Sequence, residues 1–357
     1  MRRVMTFNAV LDEAYQRLHG KGPEFGGDEE GNHGLTNHGP MAVEVMVRRG
    51  LDLDVHRWLD RYLDRLTELP DGVQRITADT WRAALGDPRR IGDWTAYFLQ
   101  QVAERPWRQV LTTWWPRLLA GIVAGSTHGV IRVGHAVRAL RAVDQDHVAA
   151  AELAHGLAFW AARWRALPGI AAPAGVLPAR AALAGVPRLA EQSGVIAHRL
   201  NRLAELPGWP AALAALRPVA RAADVPDRLA DLVRAAVLGY LRHGRASPVL
   251  LVHTATAPNA VRHILPVLPV PMWTPSFAAV WHASAAITAA YAPTRAEPLS
   301  APTIGGDPAV TVLDQAARHG DEHVIKFADT VLDVFEHNGD PDVLAAALLA
   351  SRLIPSP

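Results

Sequence analysis

The chain has 357 residues, half of them hydrophobic and a fifth charged, with a formal net charge of +1 and no cysteine. Such a length buries a large core, as one large or two smaller domains. Arginines interleaved with acids at near-zero net charge leave no electrostatic footprint for nucleic acid, and the missing cysteine excludes disulfides, thiolate metal sites and cysteine nucleophiles. The N-terminus lacks the apolar stretch of a signal peptide. No run of about 18 apolar residues is free of Pro, Arg or His. The expectation is a cytoplasmic chain with no membrane span.

Helical periodicity dominates from the start. Val10, Ala14 and Leu18 fall on one stripe of a helix over 7–18. A glycine-rich loop follows from Gly20 to Gly39, of a length that is usually functional or disordered. Pro40 suits a first helical turn and predicts a helix to Arg48. Asp52 or Asp54 caps the next, which carries Val55, Trp58, Leu59, Tyr62, Leu63 and Leu66. Further helices are expected near Thr77, near Asp87 with Pro88 in its first turn, from Pro106-Trp107, and from Val148 to Trp164.

The stretch from Leu167 to Pro226 is rich in alanine and proline and predicts short helices. A long helix is expected from Asp224 to about Arg242. Pro248 to Ile264 is ambiguous and reads better as helix, although Val249-Leu250-Leu251-Val252 is the best strand candidate in the chain. Helices over 307–318, 321–336 and 341–353 complete it, with Gly339-Asp340-Pro341 as a stop-and-start signal. Period-2 alternation with hairpin turns is almost absent. The expected fold is all-α: a large, bundle-like helical domain over 1–357. Its halves would be 1–166 and 226–357, joined by 167–225. A faint echo fits an old duplication: His128 leads to Ala136-Val137-Arg138 as His253 leads to Ala260-Val261-Arg262.

The basic residues number 36, and only Lys21 and Lys326 are lysine. Arginine serves an ion pair as well or better, whereas only lysine loses its proton and reacts as an amine. Lys326 follows His323 at i+3 on one helix face, which points to a metal or catalytic site. Three other histidine settings stand out. His38 sits where the glycine-rich loop meets a helix start, His128 lies between Gly125 and Gly129, and His253 follows an apolar run. Neutral imidazole is the commonest metal ligand, and small neighbours allow close approach. His135, His155, His263 and His282 compete with them. His19, His33, His56, His147, His198, His243, His319 and His337 have polar or arginine-rich neighbours and read as exposed. Glu44 reads as a solvated helix face rather than a carboxylate behind a ligand. No His-Glu-x-x-His motif, P-loop, nucleophile elbow or Rossmann turn is present.

Several segments together resemble the questin oxidase-like family, in its bacterial branch. They are Leu18-His19-Gly20, Gly22-Pro23-Glu24-Phe25, Asn37-His38-Gly39-Pro40-Met41-Ala42-Val43-Glu44, Leu85-Gly86-Asp87-Pro88-Arg89 with Trp94, Thr127-His128-Gly129-Val130-Ile131-Arg132 and Asp321-Glu322-His323-Val324-Ile325-Lys326. The resemblance runs from about residue 8 to 350. It implies an oxidoreductase that opens the ring of a polycyclic aromatic polyketide such as an anthraquinone or its hydroquinone. The cleavage is of Baeyer–Villiger or dioxygenase type, with dioxygen as co-substrate.

In the iron-dependent description of that family, four histidines and a carboxylated lysine hold Fe(II). Carried over, the ligands are His38, His128, His323 and Lys326, with His253 as the fourth histidine and His263 and His282 close by as alternatives. No further catalytic residue is implied. A lysine carbamate is an anionic oxygen donor that arginine cannot form. Imidazoles with one such oxygen suit divalent iron, and also zinc, nickel or copper. Five protein ligands leave one octahedral position open. Trp94, Tyr97, Trp114, Phe159 and Trp281 are candidates for an apolar wall, and the Gly20–Gly39 loop for a gate. Two other readings accompany this one: a metal-independent or NADPH-dependent Baeyer–Villiger oxidase, and a non-catalytic helical binding protein. A monomer or homodimer is expected.

Overall fold

The computed structural model describes residues 2–24, 36–51, 55–143, 146–295 and 307–357, with residues 2–8 and 308 described by their backbone alone. Its residue contacts divide the chain into two compact units, Met1–Ala166 and Leu167–Pro357. The described residues are all-α apart from one small sheet. No helix is long and apolar enough to cross a membrane, among the described residues.

The first unit runs through α1 (Arg2–His19), β1 (Lys21–Glu24), α2 (Gly39–Arg49), α3 (Val55–Leu63) and β2 (Leu66–Glu68). It continues with α4 (Trp81–Ala84), α5 (Ile91–Glu104), α6 (Trp107–Leu118), α7 (His128–Ala142) and α8 (His147–Ala162). At the centre is α8, every residue of which from Glu152 to Ala162 is buried, packed against α5 and α7. A helix enclosed on all sides needs no polar stripe. Strand β1 pairs antiparallel with β2, Lys21 opposite Glu68 and Glu24 opposite Leu66. That pairing ties the first part of the glycine-rich segment down. Residues 25–35 of the expected loop, with His33, and the expected caps Asp52 and Asp54 lie outside the described residues.

The second unit contains α9 (Ala179–Ala184), α10 (Ile196–Arg202), α11 (Trp209–Ala214), α12 (Val225–His243) and α13 (Pro248–Leu251). After these come α14 (His253–Ile264), α15 (Trp273–Tyr291), α16 (Pro308–His319), α17 (Glu322–Asn338) and α18 (Asp342–Leu353). Helix α15 is buried without a break from Val280 to Tyr291, and α17 from Glu322 to Val334. The proline-rich segment belongs to this unit and wraps α15. The Leu189 amide donates to Ala289 O at 2.9 Å, and Trp281 Nε1 donates to Leu213 O at 3.0 Å.

Helix boundaries follow local chemistry. The Asp146, Asp307 and Asp321 side chains cap α8, α16 and α17 by accepting from the amides of the first turn, as orphan helix-start donors require. Asp87 does the same for the short 3-10 turn that leads into α5. Of the strand candidate Val249–Val252, the first three residues lie in α13 and Val252 forms the turn before α14. Helices α7 and α15 carried no expectation, because burial on all sides erases the amphipathic stripe that reveals a helix.

Helices α7 and α8 touch backbone to side chain at Gly129. A Cβ there would lie 2.7 Å from Trp160 Cβ and 3.0 Å from Trp160 Cα. Replacing a helix glycine with alanine gains about 0.5–1 kcal/mol of propensity, but overpacking a filled core costs about 1–3 kcal/mol. Gly129→Ala is therefore expected to lower the urea unfolding midpoint. An unchanged or raised midpoint would show that the two helices have room to part.

Candidate metal centre

In the first unit, His38 is the N-cap residue of α2 and is fully buried. Its Nδ1 lies 2.6 Å from Glu24 Oε1. The same oxygen accepts from Tyr62 Oη at 2.6 Å, and Arg65 reaches Glu24 Oε2 at 3.3 Å. The His38 amide donates to Tyr62 Oη at 2.6 Å. Glu24 thus comes from β1, Tyr62 from α3, and the β1–β2 pairing sets the one against the other. Gly39 makes room for this: a Cβ would meet Leu18 Cδ2 at 2.7 Å and Tyr62 Cε1 at 2.8 Å.

His128 opens α7 and follows three residues in the left-handed region, Gly125 (φ 51), Ser126 (φ 59) and Thr127 (φ 72). Outside glycine that conformation costs about 1–2 kcal/mol per residue, and a β-branched threonine is an outlier there. The turn presents Gly125 O to His128 Nδ1. A carbonyl only accepts, so Nδ1 carries the proton. Glu24 likewise fixes the proton of His38 on Nδ1. Both Nε2 atoms are then lone-pair acceptors, and they face each other at 2.8 Å with the rings 82° apart. With both rings neutral, two lone pairs at that distance repel, and a proton or a metal ion between them removes the repulsion. Two imidazoles on neighbouring positions of one ion, each bonded at about 2.0–2.1 Å, bring their nitrogens to about this separation. The donor set therefore fits a divalent metal.

In the second unit, His253 opens α14 and His323 lies in the first turn of α17. Their rings are 5.7 Å apart at 80°. His253 Nδ1 lies 3.2 Å from Leu250 O, the arrangement seen at His128. The Asp321 cap accepts from the His323 amide at 2.8 Å, and its carboxylate stands 3.6 Å from His323 Nδ1. Asp321, Glu322 and His323 each offer one ligand atom within 4.8 Å of the others. Lys326, one turn further, is 2% exposed. Burial first, then His323 and Lys326, push His253 well below the usual imidazole value, so it is the neutral donor a metal needs.

The competing histidines are engaged elsewhere. His135 Nδ1 lies 2.8 Å from Glu44 Oε2. His263 lies 2.8 Å from Asp333, His282 lies 3.0 Å from Ala171 O, and His155 stacks on His19 at 4.6 Å. Glu44 is not a solvated face residue. It is 2% exposed and takes a forked ion pair from Arg138. His19, expected exposed, is half-buried 3.6 Å from Glu152, and His56, His243 and His319 are half-buried too. His147, His198 and His337 are exposed. Among the aromatic candidates, Trp94, Tyr97 and Trp114 pack edge to face with one another, Trp94 stacks on Phe98, and Trp94 Nε1 donates to Ala84 O at 3.1 Å. Phe159 is buried in α8. Spacing did not point to Glu24, Asp321 or Glu322 as carboxylates beside the histidines. Their presence within the matched segments was the only available signal.

Residues 56–165 match the family model described as Questin oxidase-like. The match covers less than a third of the chain, and over this stretch the chain is similar to that family. Of the five residues proposed as ligands, only His128 lies in the matched range. No curated protein matches the chain.

The buried ion pairs of the first unit make stability depend on pH. Burial alone would raise Glu44 and Glu152. Arg138 and His135 hold Glu44 down to about 2, and Arg132 and His19 hold Glu152 down to about 2, both from 4.5. Burial, then the charges of His19 and Arg132, lower His155 from 6.5 to about 3. In each case the unfolded chain takes up its proton at higher pH than the fold does. Stability is therefore full above about pH 6.5 and is lost as pH falls, first through the histidine and below 4.5 through the carboxylates. The urea midpoint is expected to decline from pH 6.5 to 3, with His155→Asn reducing the slope above pH 4.5. A flat midpoint between 6.5 and 4.5 would contradict this.

Proposed function

We propose that this chain is a non-haem, iron-dependent oxygenase that opens a ring of a polycyclic aromatic polyketide, an anthraquinone or its hydroquinone. The ligands proposed are His38, His128, His253, His323 and a carboxylated Lys326. The supporting observation is the pair of lone-pair nitrogens of His38 and His128 at 2.8 Å, which calls for a cation. The match to an oxidase family supplies the reaction class. Iron bound there would supply dioxygen activation, and the electron-rich ring would supply the carbon that is oxygenated.

The residues of the chain have separate tasks in this reading. Glu24 and the Gly125 carbonyl hold the Nδ1 protons of His38 and His128, which sets the tautomer and raises the basicity of each Nε2. The Leu250 carbonyl does the same for His253. Asp321 both caps α17 and stands beside His323, so the helix start and the ligand are oriented by one carboxylate. Lys326 supplies, as a carbamate, the single anionic oxygen among neutral imidazoles.

Metal analysis tests this. Protein purified without oxygen is expected to hold stoichiometric iron, lost in His128→Ala, in His323→Ala and in Lys326→Arg, each with unchanged circular dichroism. Labelled bicarbonate should give a carbamate carbon signal that Lys326→Arg abolishes. Glu24→Gln is expected to weaken metal affinity about 10–100-fold, the usual effect of losing a carboxylate behind a histidine ligand. Lys326→Ala with unchanged metal content and ring-opening activity would sink the proposal. Activity on a polycyclic quinol that survives chelation would favour a metal-independent or NADPH-consuming oxidase instead.

A further inference from the structure

We propose that a cleft in the second unit, walled by α9, α12, α13 and the end of α15, binds a small organic anion: an apolar body carrying a carboxylate or phosphate group. The cleft is open to solvent and has a cavity volume of about 60 Å³. Arg180, Arg188, Arg242 and His243 line it, and none of its lining residues is acidic. The rest of the wall includes Leu183, Ala235, Ala236 and Leu251.

Three observations carry the proposal. First, no acid lines the cleft beside its arginines: Arg180 and Arg242 are exposed at its edge and Arg188 reaches further in. Arg188 is half-buried; its Nη1 donates to Val186 O, and its buried Nε has no partner. His243 Nδ1 is buried without a partner as well. A buried guanidinium nitrogen without a partner is unfavourable, and arginine's planar fork matches carboxylate and phosphate oxygens. Second, burial, then the charges of Arg188 and Arg242, push His243 from 6.5 down to about 4. Arg188, Arg242 and His243 line the same cleft, so an anion bound there would face all three.

Third, Gly239 sits within α12, where glycine costs about 0.5–1 kcal/mol relative to alanine. Neither usual reason for a glycine applies here. Its φ is not positive, and a Cβ would meet nothing within 4 Å. It faces the cleft, so its missing side chain leaves room for a ligand. Leu251 and Thr254, which flank His253 in the chain, also line the cleft, so a bound anion rests on the turn that opens α14.

Titration calorimetry on the full chain tests the proposal without reference to metal content or turnover, so its outcome is separate from that of the oxygenase reading. The probes are 2-naphthoate, 2-naphthyl phosphate and the neutral 2-naphthamide. At least one acid is expected to bind saturably, and at least about tenfold more tightly than the amide, a difference of about 1.4 kcal/mol. Which acid binds better identifies the head group. Arg188→Gln is expected to weaken the acid about tenfold or more. Gly239→Leu should abolish binding while leaving the urea midpoint unchanged or raised. Equal binding of the amide, undiminished binding in both variants, or no saturable binding of either acid would overturn the proposal.

Discussion

The contact on which the first unit turns is between His38 and His128, whose buried Nε2 atoms face each other at 2.8 Å, a separation suited to a shared proton or a metal ion. Much of the first unit serves to put His38 and His128 in that relation. The β1–β2 pair brings Glu24 under His38, Gly39 lets α2 begin against Leu18 and Tyr62, and a left-handed turn places the Gly125 carbonyl behind His128. Backbone strain of this kind persists only where the surroundings enforce it. Here the surroundings are a closely packed α7–α8 pair.

The same local device recurs in the second unit. His253 opens α14 as His128 opens α7, and each turns Nδ1 to the carbonyl three residues back. Each helix packs on a following helix that is buried nearly all round, α8 or α15. Further along each helix a second histidine meets a buried carboxylate, His135 with Glu44 and His263 with Asp333. The two helix starts thus share one hydrogen-bonding pattern.

The buried charges divide by task. Glu44 and Glu152 are neutralised by forked arginine pairs and serve packing within the first unit. The arginines of the cleft beside α12 have no such acids among the residues around them. That contrast separates charges balanced within the fold from charges left for something else to balance.

The helical class, most helix starts and the oddity of Lys326 were legible in the sequence, because periodicity and capping are local. Asp87, Asp146, Asp307 and Asp321 act on amides two or three residues away. Helices α7 and α15 were not legible, since a helix buried all round has no polar face to set its period. Nor was β1, because strand pairing joins Lys21 to Glu68 across the chain. Which histidines are diverted, and which face each other, depended on contacts such as His38 with His128, 90 residues apart. Sequence spacing places residues on a helix face. Only packing decides which carboxylate, carbonyl or second imidazole that face meets.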